Sequence, residues 1–325
     1  MKRAAPVLTL LLVAPWVGEY LLGNVSARRL PALLFLALLY GCGALLSREV
    51  TRRTGRGWPT ILLLGAAYGA IEAGIVDQSM FNPSFEGWEF QAVTPMPALG
   101  ISAWYTWTFV IGHSVWSIAV PIALVELLFP GRARKPWLGR AGVVLTAIGY
   151  IAGCIVIGRF VYASEKFVAS PWQLAGAAAA AGILIASAFA CRPVTPAVGN
   201  GRVPRPLPLG LGVFVAFGVY QVRPEGWAGL VFGIVWLALM AVPLFWFSRQ
   251  RSWGPRHQLA VVAAALGTYA WLGFVITLLV EPGDPARWVG NIVFAGVALA
   301  LVLAARLRQH WQRSRADRRS DTWVT

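Results

Sequence analysis

Five ionisable side chains lie inside otherwise apolar runs of this chain: Glu19, Glu72, Asp77, His113 and Glu126. In hydrocarbon such a group costs about 2.5–3.5 kcal/mol on insertion scales unless it is paired or hydrated, so each marks a candidate site. A buried glutamate beside a histidine has three chemical uses. It can bind a metal, given a third ligand such as Glu19 or Asp77. It can work as an acid–base pair. It can pass protons or cations across a membrane. The same pair can also do no chemistry and lock two helices together.

Spacing brings three of these groups to one level. Glu72 follows Trp58 by 14 residues, about 20 Å along a helix, and Glu19 follows Pro6 by 13. His113 lies 10 residues inside Ala103, about 15 Å from the opposite edge. Thr106, Phe109, His113 and Ser117 share one face of a 3.6-residue helix, and Glu72 adjoins the small-residue stripe Gly65, Gly69 and Ala73. Glu19, Glu72 and His113 are therefore expected to converge, with Asp77 and Ser117 completing an ion- or substrate-binding set. Under an enzymatic reading Glu72 and His113 are the catalytic pair. Glu126, near the end of its run, is expected to snorkel toward Arg132 and Arg134.

The elements that position these groups follow from composition. The 325 residues are 58% hydrophobic and 13% charged, which excludes a soluble enzyme and a disordered chain. Ten apolar runs are long enough to read as spans of a roughly 30 Å hydrocarbon core. They are 5–22, 30–47, 59–78, 103–129, 140–157, 171–191, 207–221, 226–247, 259–280 and 288–307. The seventh is short and glycine-rich, and Pro121 is expected to kink or tilt the fourth. The predicted fold is an all-α polytopic membrane protein with one ten-helix domain, 1–307, and a basic, disordered cytoplasmic tail, 308–325. The first run is expected to be a retained span and not a cleaved signal, because its apolar stretch extends past Pro15 to Leu22 with no small-x-small cleavage site at a sensible place.

Net charge is +15, with the cations clustered between apolar runs. With the amino terminus inside, 22 of the 28 Lys and Arg fall in cytoplasmic segments, which predicts that both termini are cytoplasmic. This pattern points to the lipid bilayer as partner and away from nucleic acid. Cys42, Cys154 and Cys191 form no metal or disulfide pattern. The external segment 80–102 carries Phe81, Phe85, Trp88 and Phe90 and is expected to cover the outer ends of the third and fourth spans.

Two resemblances follow from particular residues. Gly18–Asn24, Arg53–Pro59 and the run from Tyr68 through Glu72 to Asn82-Pro83 resemble an uncharacterised family of bacterial polytopic membrane proteins over about the first 130 residues, which implies no activity. Phe109-x-x-x-His113, after an intramembrane Glu on the preceding helix, is similar to one motif of the CAAX-protease and bacteriocin-processing intramembrane metalloproteases. Ala73 replaces that family's second Glu, Asp77 stands where it has Arg, and its third motif has no counterpart.

The leading expectation is a permease-like protein of the cytoplasmic membrane, moving a small solute with protons or cations. The alternative is a metal-dependent intramembrane hydrolase, and only that reading calls for a cofactor, a divalent metal. The third is a non-catalytic scaffold or partner subunit.

Overall fold

The computed structural model describes residues 4–193 and 199–321. The basic flank Lys2-Arg3 and residues 322–325 of the expected tail lie outside them. Ten helical segments follow one another: α1 (Ala5–Leu21), α2 (Ala27–Arg53), α3 (Trp58–Val76), α4 (Ala103–Leu128), α5 (Arg140–Glu165), α6 (Pro171–Ala190), α7 (Pro206–Gln221), α8 (Trp227–Ser248), α9 (Pro255–Val280) and α10 (Pro285–Asp321). Eight are long and apolar enough to cross a membrane, and α1 and α7 are shorter apolar helices. The chain is an all-α polytopic membrane protein. The one sheet among the described residues is a two-residue antiparallel pairing, Pro95–Met96 with Ile101–Ser102, in the loop before α4.

Contacts between helix ends define two faces. On one, which holds the 80–102 loop, Arg28 pairs with Asp284 at 2.9 Å and Arg287 donates to Gly23 O. On the other, rich in arginine, Arg56 donates to Phe189 O and Arg308 to Leu128 O. The ionisable groups sit on the central helices. The buried share of the spanning window is 67% in α3 and 61% in α4, against 6% in α5 and 11% in α8. The helices that carry Glu72 and His113 are thus far more buried than α5 and α8.

Small residues set the closest approaches. A Cβ on Gly65 would lie 2.8 Å from Ser114 Cα, and one on Gly69 would lie 3.0 Å from Val110 Cα. The glycine stripe of α3 thus lets the α4 backbone reach it, as small residues do where lipid supplies no hydrophobic drive. Gly153 does the same for α5 against Leu38 of α2.

Three boundaries differ most from those read in the sequence. Helix α5 runs to Glu165, α2 extends to Arg53, and α10 stays helical to Asp321, through most of the 308–325 segment expected to be a disordered tail. Arg48, expected in a loop because of its charge, lies on a helix with its side chain fully buried. Its charge is matched by Glu49 and Glu126, so the helix need not end before it.

Candidate functional site

Four stretches of these helices leave α geometry for the wider π turn: Trp16–Leu21, Ala37–Gly41, Glu72–Val76 and His113–Ala119. Each holds one member of a single polar cluster: Glu19, Tyr40, Glu72 and His113. A π turn inserts a residue into the i→i−4 ladder, re-aims the side chains around it, and recurs at functional sites. In α4 it lies immediately before Pro121, whose missing N–H cannot bond to Ser117 O.

Tyr40 is the hub. Its hydroxyl is 2.5 Å from Glu19 Oε1, 3.1 Å from Glu72 Oε1 and 3.5 Å from His113 Nε2. His113 Nε2 is 3.0 Å from Glu72 Oε2, and His113 Nδ1 is 2.7 Å from Phe109 O. Glu72 and Tyr40 are buried, while Glu19 and His113 are half-buried. Tyr68, one turn before Glu72, packs its ring against both Tyr40 and His113, and its buried hydroxyl has no hydrogen-bond partner.

These contacts bear on the proton count. A carbonyl oxygen only accepts, so His113 Nδ1 carries a hydrogen. Nε2 then faces Glu72 Oε2 at 3.0 Å, although this buried oxygen has no hydrogen bond of good geometry; a proton placed between them would give imidazolium with carboxylate, or imidazole with carboxylic acid. Tyr40 has one proton and two carboxylate neighbours. Donation to one carboxylate satisfies the other only if one of the two acids is itself protonated. Two protons shared among Glu19, Glu72 and His113 would leave the cluster neutral. Neutrality is the state that a site removed from water favours.

The other predicted residues lie apart from this cluster. Asp77 Oδ1 accepts from Ser79 N at 2.9 Å, closing the turn after α3. Ser117 is buried, and its Oγ sits 2.9 Å from where a Cβ on Gly18 would be; no hydrogen bond joins it to the cluster. Glu126 does not reach toward Arg132 and Arg134. It accepts from Arg48 Nε at 3.1 Å and from Arg52 at 2.8 and 2.6 Å, because these two side chains project from α2 directly beside it.

Phe81 and Phe90 of the 80–102 loop pack as expected, but Trp88 does not, and most of the loop is exposed, so the expected cover is partial. Phe81 is buried, and Phe90 stacks on Tyr105 and Phe109 at 4.3 and 5.4 Å. Trp88 is 50% exposed: it lies on the strand-like stretch after the positive-φ residues Glu86 and Gly87, which turn the chain outward.

Tyr40 and Tyr68 escaped a search for ionisable residues because tyrosine counts as apolar. The legible signal was a hydroxyl at the level of Glu19 and Glu72, flanked by glycine at Gly41. The Arg48–Glu49 pair was hidden by its place at the end of a run, where charges read as loop. Among the described residues no three His, Cys, Asp or Glu side chains are grouped to hold a metal ion, so the ligand set that a hydrolase needs is not assembled.

Fold and cluster together define a helical multi-pass membrane protein with a buried acid–tyrosine–imidazole centre. The chain belongs to an uncharacterised membrane protein family, whose profile matches residues 8–316. No curated protein and no solved structure shows significant similarity to it.

Proposed function

We propose that this protein is a permease-like carrier of the cytoplasmic membrane that moves a small solute together with protons. The carrying observation is the four-helix cluster of Glu19, Tyr40, Glu72 and His113, which gathers three titratable groups around one tyrosine hydroxyl. Intramembrane acids and imidazoles of this kind mark ion pathways. The single hydroxyl oxygen of Tyr40 sits at hydrogen-bond distance from both acids, with no gap for a larger ion between it and either carboxylate, which favours the proton over a metal cation. The positive-inside rule puts the arginine-rich face in the cytoplasm.

The test is solid-supported-membrane electrophysiology on proteoliposomes, using pH jumps with a panel of amino acids, sugars and carboxylic acids. Wild type should give a solute-dependent proton current that Glu72→Gln lacks. A folded wild-type protein that gives no current with any solute, or a current that survives Glu72→Gln, sinks the reading in favour of the scaffold.

A further inference from the structure

The surroundings of the cluster differ sharply on its two sides. Toward the loop face, one polar step reaches the surface: exposed Asn24 lies 3.5 Å from Glu19 Oε2. Toward the arginine-rich face, Leu10, Leu45, Ile61, Ile118 and Ile122 intervene, all essentially fully buried members of one apolar core. Behind that dry layer lies a charged network. Arg48 bonds Glu49 at 2.8 Å and Glu126 at 3.1 Å, and its Nη2 donates to Arg132 O, Ala133 O and Lys135 O. Its guanidinium lies 3.4 Å from the centre of a Trp137 ring. Glu49 accepts from Trp137 N and Leu138 N, and Arg52 grips both oxygens of Glu126. The network ties α2 to α4 and straps the 129–138 link across their ends. These are the helices that carry Tyr40 and His113 at the other end of the same dry layer.

We propose that the Arg48–Glu49–Arg52–Glu126 network is a closed gate on the arginine-rich face, and that this structure is the state open to the loop face. This rests on the carrier reading, in which a central site must be exposed to each side in turn. The ionic form of the gate has a physical reason. A satisfied set of buried ion pairs holds one arrangement closely, and it can be exchanged for hydration when the ends part. An apolar seam alone lacks that second state in water. Coupling between the two ends must be reciprocal, so weakening the gate should draw the loop face closed.

The test is distance measurement between spin labels in nanodiscs, on a background with Cys42, Cys154 and Cys191 replaced by alanine. One label pair, Thr54 and Arg134, reports the arginine-rich face; the other, Arg29 and Leu99, reports the loop face, and all four positions are exposed. In Glu126→Gln the first pair should shift to longer distances while the second shifts to shorter ones. Arg52→Gln, which removes only the outer arm of the network, should shift both pairs the same ways by less, and it decides the matter if Glu126→Gln fails to fold. A change confined to the Thr54–Arg134 pair would make the network a local strap, and no change at either pair would make it a fixed staple; both overturn the gate. Neither outcome touches the proton currents that test Glu72, so the gate and the carrier reading fail separately.

Discussion

His113 is held by its own helix at one ring nitrogen and faces Glu72 with the other. Nδ1 is held 2.7 Å from Phe109 O within its own helix, and this turns Nε2 to face Glu72 Oε2 at 3.0 Å across the α3–α4 interface. The tautomer follows from the carbonyl, and it leaves Nε2 as the atom that would share a proton with Glu72. On the carrier reading, that proton would exchange through Tyr40 with Glu19, which lies beside the surface residue Asn24.

Glu72→Gln should remove proton coupling and spare the fold. The amide has nearly the shape of the acid and still donates to Nε2 or accepts from Tyr40, but it cannot release a proton. Coupled current should fall by at least about 100-fold, in line with the loss of a positioned proton-transfer group. Glu72→Ala should also lower stability by about 1–3 kcal/mol, because it leaves Tyr40 and His113 unpaired in the core. Thermal unfolding of the purified variants beside the current measurement separates the two effects.

Tyr40→Phe should disconnect Glu19 from Glu72 while both carboxylates remain. Infrared difference spectra on a pH change should show one concerted carboxylic-acid signal in wild type and two independent ones in the variant. A single unchanged signal would mean that the acids do not communicate through the hydroxyl.

Much of this architecture was written plainly in the chain. Ten apolar runs gave ten helices, because burying backbone polar groups in lipid leaves a helix few alternatives. The convergence of Glu19, Glu72 and His113 was legible from depth alone, since each is costly unless it meets the others. Asp77, which its spacing sets a turn and a half beyond Glu72 and near the outer surface, lies past the last turn of α3, where its carboxylate accepts from Ser79 N. The π turns were not legible: they arise where four helices must all aim polar groups inward, a tertiary demand that no single helix records. Arg48 was misread for a related reason, because its partners Glu126 and the 129–138 carbonyls come from distant parts of the chain.

Arg48→Ala should be among the most damaging substitutions in the molecule. It leaves Glu49 fully buried without its closest guanidinium and frees three loop carbonyls, so the expected loss is about 3–5 kcal/mol. Arg134→Ala, at an exposed position of the same link, should cost less than about 0.5 kcal/mol. Similar unfolding temperatures for the two would contradict the network's part in stability.

Arg28 and Asp284 set a weak pH dependence on the loop face. The backbone N–H of Ala286, aided by the Arg28 guanidinium, holds the Asp284 carboxyl below its ordinary range. A carboxyl whose folded pKa is depressed contributes stability above its unfolded value, about 3.9, and loses it as pH falls through the folded value. Wild type should therefore be slightly more stable than Asp284→Asn near pH 7, and the difference should vanish below the carboxylate range. A difference that grows on acidification would refute the assignment.

Gly69→Val tests whether close helix contact, and not merely the presence of Glu72 and His113, makes the site. A Cβ at position 69 would lie 3.0 Å from both Val110 Cα and His113 Cβ, so valine's branch cannot fit without moving α4. Overpacking of this kind costs about 1–3 kcal/mol. Any shift of α4 is transmitted to His113 Nε2, which has only a 3.0 Å separation from Glu72 Oε2 in which to share a proton. The variant should thus lose most of its proton current although every titratable residue is present. Gly176→Val makes the control: it sits in α6, where a Cβ would meet nothing within 4 Å, and should leave current and stability near wild type. Equal currents from the two glycine variants would show that the α3–α4 approach is dispensable, and that the cluster's geometry tolerates far more slack than its short contacts imply.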